Sequence, residues 1–501
     1  MLDLADFIKK LRRYRKCDIV NIGTKLLWKV FQNGQSYKLE EVQIINVYAP
    51  ILIILGMATA NDFRKNILNE SSFYKLCHDF LEIEDSINDR SFMDHESAQI
   101  LESLKLKKDK GIPDKYLNLD FIREICARLF VSRIARQQHS TSGVGLDEFY
   151  ITYDVLLRLN QFTTNEAFND FQSIFDVTPL QFMRVAFALF TLGIDSNGRI
   201  TFNGLICDDS VREKLNYDID TCKLIACKIS YEEMLLKKDW YDHGILNTPR
   251  LYQKYYPTPL YKTPLIKRGI DSGMDYLIPS PGLFIRAIKD SIFSQLCINK
   301  KLSAKLGEAI EGHILYVLRS IFGEDNVSVI PRSTNSRSAD FCIELPKYIL
   351  IIECKSMIGS YNSLSVMLPE DIAEIWSRLY NACEQCSISA KEYQNSSKTI
   401  ILIVLIADHI TVEAEPFQYY AAKSSIFEDM GIGYIKFISW HKMLEELSII
   451  SIERFLDRLV KNKKHTATID SATQNFEEDT PAHNYEFLKE VSEQIWANIL
   501  A

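Results

Sequence analysis

A chain of 501 residues with 47% apolar and 25% charged side chains has the make-up of a globular protein with several domains, which excludes a disordered or fibrous one. Its formal net charge of −8 excludes a general polycation, so any nucleic acid must be held by a local basic surface. Eleven cysteines lack framework spacing, and the start Met1-Leu2-Asp3-Leu4 lacks the basic and apolar regions of a signal peptide; both lead us to expect a cytoplasmic location with reduced thiols.

Residues 1–245 read as mostly helical. Phe182, Val185, Ala186, Leu189 and Phe190 recur at three- and four-residue spacing, Thr178-Pro179 supplies an N-cap with a first-turn proline, and Asp195-Ser196-Asn197-Gly198 signals a turn. The longest apolar run, Val47 to Ala60, is interrupted by Pro50 and Gly56 and falls short of the ~20 residues a membrane helix needs. It is expected to be a core helix, and no membrane partner is expected. Residues 246–300 form a connector rich in proline (Pro249, Pro257, Pro259, Pro264, Pro279 and Pro281), with short extended pieces at 264–266 and 276–278. Helical spacing resumes at 282–296.

From residue 301 to 463 the pattern predicts a separate domain with the order α-β-β-β-α-β. The helix runs from Leu302 to Phe322. Short strands follow at 327–330 and 341–345, and 348–354 is apolar on both faces, as a central strand is. A helix over 372–393, a buried strand over 399–406 and an edge strand over 433–438 complete it. Residues 464–501 read as an acidic linker (464–482) ending in an amphipathic helix, 485–500, suited to docking on the body or a partner.

The chemistry concentrates in Ile351-Ile352-Glu353-Cys354-Lys355. Strand alternation puts Glu353 and Lys355 on one face, an uncommon use of a buried strand. If Leu345-Pro346-Lys347-Tyr348 is the hairpin turn, Glu344 pairs with Ile349, and the same register brings Asp340 opposite Glu353. Opposed Cβ atoms lie about 4.5–5.5 Å apart, so two carboxylates there repel unless a cation such as Mg2+ or Mn2+ lies between them. Glu311, or Glu308 one turn earlier on the leading helix, offers a third carboxylate. Gln385 on the later helix reads equally as a site residue or a surface one. Arg332 and Arg337 flank a loop just before Asp340, placed to hold a nucleic-acid backbone. The basic cluster Lys9 to Lys16 reads as a solvated helix face, Cys383-x-x-Cys386 lacks the second ligand pair of a zinc site, and His313 and His409 stand alone.

Ala339-Asp340, twelve residues, then Glu353-Cys354-Lys355, resembles the PD-(D/E)xK nuclease superfamily over roughly residues 302–440, with Ala339 where proline stands in the pattern. The resemblance implies an α+β multi-domain protein. A large helical N-terminal region would precede a restriction-endonuclease-like αβββαβ domain. It implies metal ligation by Asp340, Glu353, the Cys354 backbone carbonyl and Glu311 (or Glu308), with catalytic assistance from Lys355 and a helix glutamine at Gln385. The implied activity is Mg2+-dependent (or Mn2+-dependent) hydrolysis of DNA, in bacterial anti-phage defence or restriction, with the helical region recognising substrate, a protein partner or a second copy. A catalytically silent nucleic-acid-binding scaffold and an RNase stand as alternatives.

Overall fold

The computed structural model describes residues 3–33, 37–64, 66–83, 98, 99, 101–103, 105, 147–202, 218–248, 253, 254, 256–268, 275–331, 338–356, 369–407 and 435–461. Arg332, Arg337, His409 and the region 464–501 lie outside the described residues. The protein is a mixed α+β molecule with two compact units; the first takes residues 1–86, 133–306 and 491–501, the second residues 87–132 and 307–490.

The first unit is built on helices α1 (Leu4–Leu11), α2 (Lys16–Asn33), α3 (Leu39–Thr59), α4 (Glu70–Leu81), α5 (Asp147–Phe162), α6 (Asn169–Phe175) and α7 (Pro179–Asp195). Thr178 and Gln181 close a capping box at the start of α7, with proline in its first turn. The apolar run at 47–60 lies inside α3, where Ile51 to Leu55 are buried. Among the described residues no single helix is long and apolar enough to cross a membrane. One bent pair, 165–175 with 179–194, passes by length and composition, and its Phe171, Phe182 and Leu189 are buried in the unit.

The same unit carries a small mixed sheet. Strands β1 (Arg199–Thr201), β2 (Ser230–Glu232), β3 (Leu265–Arg268) and β4 (Asp275–Leu277) line up in the order β1-β4-β3-β2, and helix α8 (Ile219–Lys228) precedes β2. The proline-rich stretch thus supplies two strands and then helix α9 (Pro281–Ile298), buried from Pro281 through Lys289. The turn after α7 requires a glycine. Gly198 has φ +88°, and a Cβ there would lie 2.4 Å from the Ile278 carbonyl oxygen. Its own carbonyl accepts the Ile278 N–H at 2.7 Å, and the Trp28 indole donates to the Ile278 carbonyl at 3.1 Å. Trp28 packs against Phe190, which joins Phe149 and Phe284 in an aromatic core.

Helix α10 (Lys300–Phe322), which belongs to the second unit from Gly307 on, leads into β5 (Val327–Val329), β6 (Phe341–Glu344), β7 (Tyr348–Lys355), helix α11 (Pro369–Ala390), β8 (Thr399–Ile406), β9 (Ile435–Ser439) and helices α12 (Trp440–Ile449) and α13 (Ile452–Lys461). The five strands keep sequence order, antiparallel from β5 to β7 and parallel from β7 to β9. β7 is therefore central. Its residues Ile349 to Ile352 are fully buried, as are Ile401 to Ile406 of β8. A parallel neighbour needs a crossover, and α11 supplies it.

Candidate metal and catalytic site

The hairpin joining β6 and β7 sets the site. Glu344 pairs with Ile349 and Phe341 with Ile352, the register that the turn proline implies. The regular ladder ends at Phe341, and Asp340 lies one step beyond. Its N–H donates to the Ile352 carbonyl at 3.0 Å, and its carbonyl accepts the Ile330 N–H at 3.0 Å. Its carboxylate (Oδ2) accepts the Cys354 N–H at 2.8 Å. Asp340 is thus fixed at the end of β7, beside Glu353 and Lys355.

The orientation of the Cys354 peptide groups follows from alternation. The Lys347 and Lys355 carbonyls bond to β8, accepting from Thr399 and Ala407 at 2.9 Å each. Odd-numbered residues of β7 therefore turn their backbone groups toward β8 and even-numbered ones toward β6. The Cys354 carbonyl turns to the side that carries the Asp340 carboxylate.

Glu353 is 2% exposed and Asp340 6%. One Glu353 oxygen, Oε1, takes a short ion pair from the Lys355 ammonium. The other, Oε2, is buried without a hydrogen-bond partner. Burial, then the Asp340 charge, pushes the Glu353 carboxyl up to about 8 against the opposing pull of Lys355. Both carboxylates are acceptors only when ionised, so Oε2 gains a bond to Asp340 only where one of the two acids is protonated. Below that pH the pair holds a proton in the place where two anions would otherwise repel.

Helix α11 reaches the same spot. The Gln385 Oε1 accepts from the Lys355 ammonium at 3.0 Å, and its Nε2 donates to the Ser338 carbonyl at 3.1 Å. One turn later the Ser389 hydroxyl accepts the Ala339 N–H at 2.9 Å. Gln385 therefore touches the site. Ser389 was not among the residues the sequence suggested. Its only signal there is its position four residues after Gln385, on the same helical face.

Glu311 is half-buried on α10 and close enough to Cys354 for its charge to act on that thiol, which burial pushes up first. Glu308 is exposed. Neither joins a tight cluster: among the described residues no three or more His, Cys, Asp and Glu side chains gather as a metal cage. Gly307, one turn before Glu311, faces open space, since an added Cβ would meet no described atom within 4 Å.

No family model matches the chain, and no curated protein or solved structure matches it either.

The other signals have ordinary settings. Cys383 and Cys386 are buried free thiols of α11, held up by burial. His313 is buried with its ring edge-on to Trp440 at 6.0 Å. The basic cluster of α1 and α2 is matched by acids. Lys9 pairs with Asp6 at 2.8 Å, Arg15 with Asp18 at 2.8 Å and Lys16 with Glu233 at 2.8 Å, while Lys10 contacts Asp79.

Proposed function

We propose that the chain is a metal-dependent nuclease of the PD-(D/E)xK type, acting on DNA, with a restriction-endonuclease-like second unit. The observation that carries this reading is the buried Glu353 carboxylate. One of its oxygens lacks a partner, and a second carboxylate, Asp340, lies beside it. Two acids and one ammionium-bearing side chain in a buried strand end serve no packing purpose that an apolar pair would not serve better. The set suits a hard divalent cation, which takes carboxylate and carbonyl oxygens. Mg2+ keeps several waters and needs one or two carboxylates, so Asp340, Glu353 and the Cys354 carbonyl are a sufficient protein share, with Glu311 an outer contributor.

When bound, the cation would polarise the phosphoryl oxygen and lower the pKa of a coordinated water. The rest falls to the chain's own groups. The Glu353–Asp340 pair would release its proton to solvent, leaving two anionic carboxylates as the ligands. Lys355 presents an ammonium beside Glu353, suited to orienting an attacking water or offsetting charge that develops on the phosphate. Gln385 holds that ammonium from its other side. The element order from α10 to β9 supports the same reading, with β7 central and its charged end carrying the chemistry.

The test is incubation of the purified chain with supercoiled plasmid, single-stranded DNA and RNA in Mg2+, Mn2+ or EDTA. Metal-dependent plasmid cleavage is expected. Asp340→Ala and Lys355→Ala should each lower it by about 100-fold or more, as loss of a charge-stabilising group does. Cleavage that survives either substitution or EDTA overturns the assignment; cleavage of RNA alone replaces DNA as the substrate class. A role in anti-phage defence or restriction belongs to the same proposal, and phage plating on cells carrying the wild-type or Asp340→Ala chain tests it.

A further inference from the structure

We infer that Ser389 is a positioning residue for the metal carboxylate, acting through one clamped peptide bond; this rests on the nuclease reading above. The Ser338 carbonyl and the Ala339 N–H are the two polar ends of a single peptide unit, the second before Asp340; the Ala339–Asp340 unit lies between. Gln385 holds the carbonyl end at 3.1 Å and Ser389 the N–H end at 2.9 Å. No β-ladder does this work, because β6 begins only at Phe341. Asp340 itself is tied to the strands through Ile352 and Ile330, and α11 holds the peptide that leads into it. Spacing of four residues brings both clamping groups to one face of that helix.

The contact is dry. Ala339 is fully buried and Ser389 is 3% exposed, so water cannot replace a lost acceptor without entering the interior. The clamp also ties two parts of the site together. Through Gln385 the same helix holds the Lys355 ammonium at 3.0 Å. One helix thereby touches both the approach to Asp340 and the Lys355 amine. Loosening the 338–339 peptide would leave the approach to Asp340 held by the Asp340 N–H to Ile352 bond alone, freeing its carboxylate to drift from the Cys354 N–H.

The experiment compares the full-length wild-type chain with Ser389→Thr, which keeps the hydroxyl, and with Ser389→Cys and Ser389→Ala, which weaken or remove the acceptor. Three quantities are read: the Mn2+ dissociation constant by calorimetry, the Mg2+ concentration for half-maximal cleavage, and the thermal midpoint. Positioning predicts that Ser389→Cys and Ser389→Ala raise both metal concentrations about 10- to 100-fold, the usual effect of losing an outer-shell partner. Ser389→Thr should stay within about threefold of wild type. Ser389→Cys is nearly isosteric and keeps the test alive if Ser389→Ala does not fold. A lowered midpoint with unchanged metal dependence in Ser389→Cys overturns the positioning role and leaves the nuclease reading standing. A wild-type chain that binds no Mn2+ overturns both.

Discussion

Glu353 carries the sharpest consequence at the scale of single residues. Its carboxyl is raised from an ordinary 4.5 to about 8, first by burial and then by Asp340. A raised acid binds its proton more tightly in the folded chain than in the unfolded one. Without metal, its contribution to stability is therefore complete below about pH 4.5 and is lost as pH rises toward 8. A divalent cation should cancel that loss, because it replaces the proton between the two acids. Chemical denaturation at several pH values checks this. The metal-free midpoint should fall over that window, Mg2+ should flatten the fall, and Asp340→Asn should shrink it by removing the second charge. A metal-free midpoint that rises across the window would show that Glu353 is ionised there.

At the scale of elements, the β6–β7 hairpin was legible from the sequence and the α11 clamp was not. A proline at the second turn position and period-two alternation fix the hairpin register through local chemistry, so the pairing of Glu344 with Ile349 follows from about ten residues. The contact between Ala339 and Ser389 spans fifty residues, and no local pattern encodes it. The distance of the third carboxylate was illegible for a similar reason. Helical spacing shows which face Glu311 is near, but not how far the helix stands from the sheet. The short strands β1 and β2, three residues each, are too brief to show a period within a helical stretch. The extended pieces around 265 and 276 stood out because prolines and glycines bracket them. One glycine sets a further element-scale expectation. Gly198→Ala forces a Cβ onto the Ile278 carbonyl at a positive φ, which should cost at least about 1–3 kcal/mol. Urea unfolding of the first unit measures it, and Mn2+ affinity of the folded protein should not change.

At the scale of the whole molecule, the candidate site and the aromatic core fall in different units. All the described site residues, from Gly307 through Ser389, belong to the second unit, while the aromatic core of Trp28, Phe149, Phe190 and Phe284 belongs to the first. Saturating Mg2+ should therefore slow amide exchange in β6, β7 and α11 and leave α2, α3 and α9 unchanged, as hydrogen-exchange mass spectrometry can read. Equal protection throughout both units would mean that the cation binds elsewhere or that the units respond as one body.

The open side of α10 has a consequence of its own. Glycine in a helix interior costs about 0.5–1 kcal/mol relative to alanine, and at position 307 nothing described would collide with a methyl group. Gly307→Ala should raise the denaturation midpoint. If turnover drops while the protein grows sturdier, the bare backbone at that turn is a berth for the incoming polynucleotide, and the helix gives up rigidity to keep it clear.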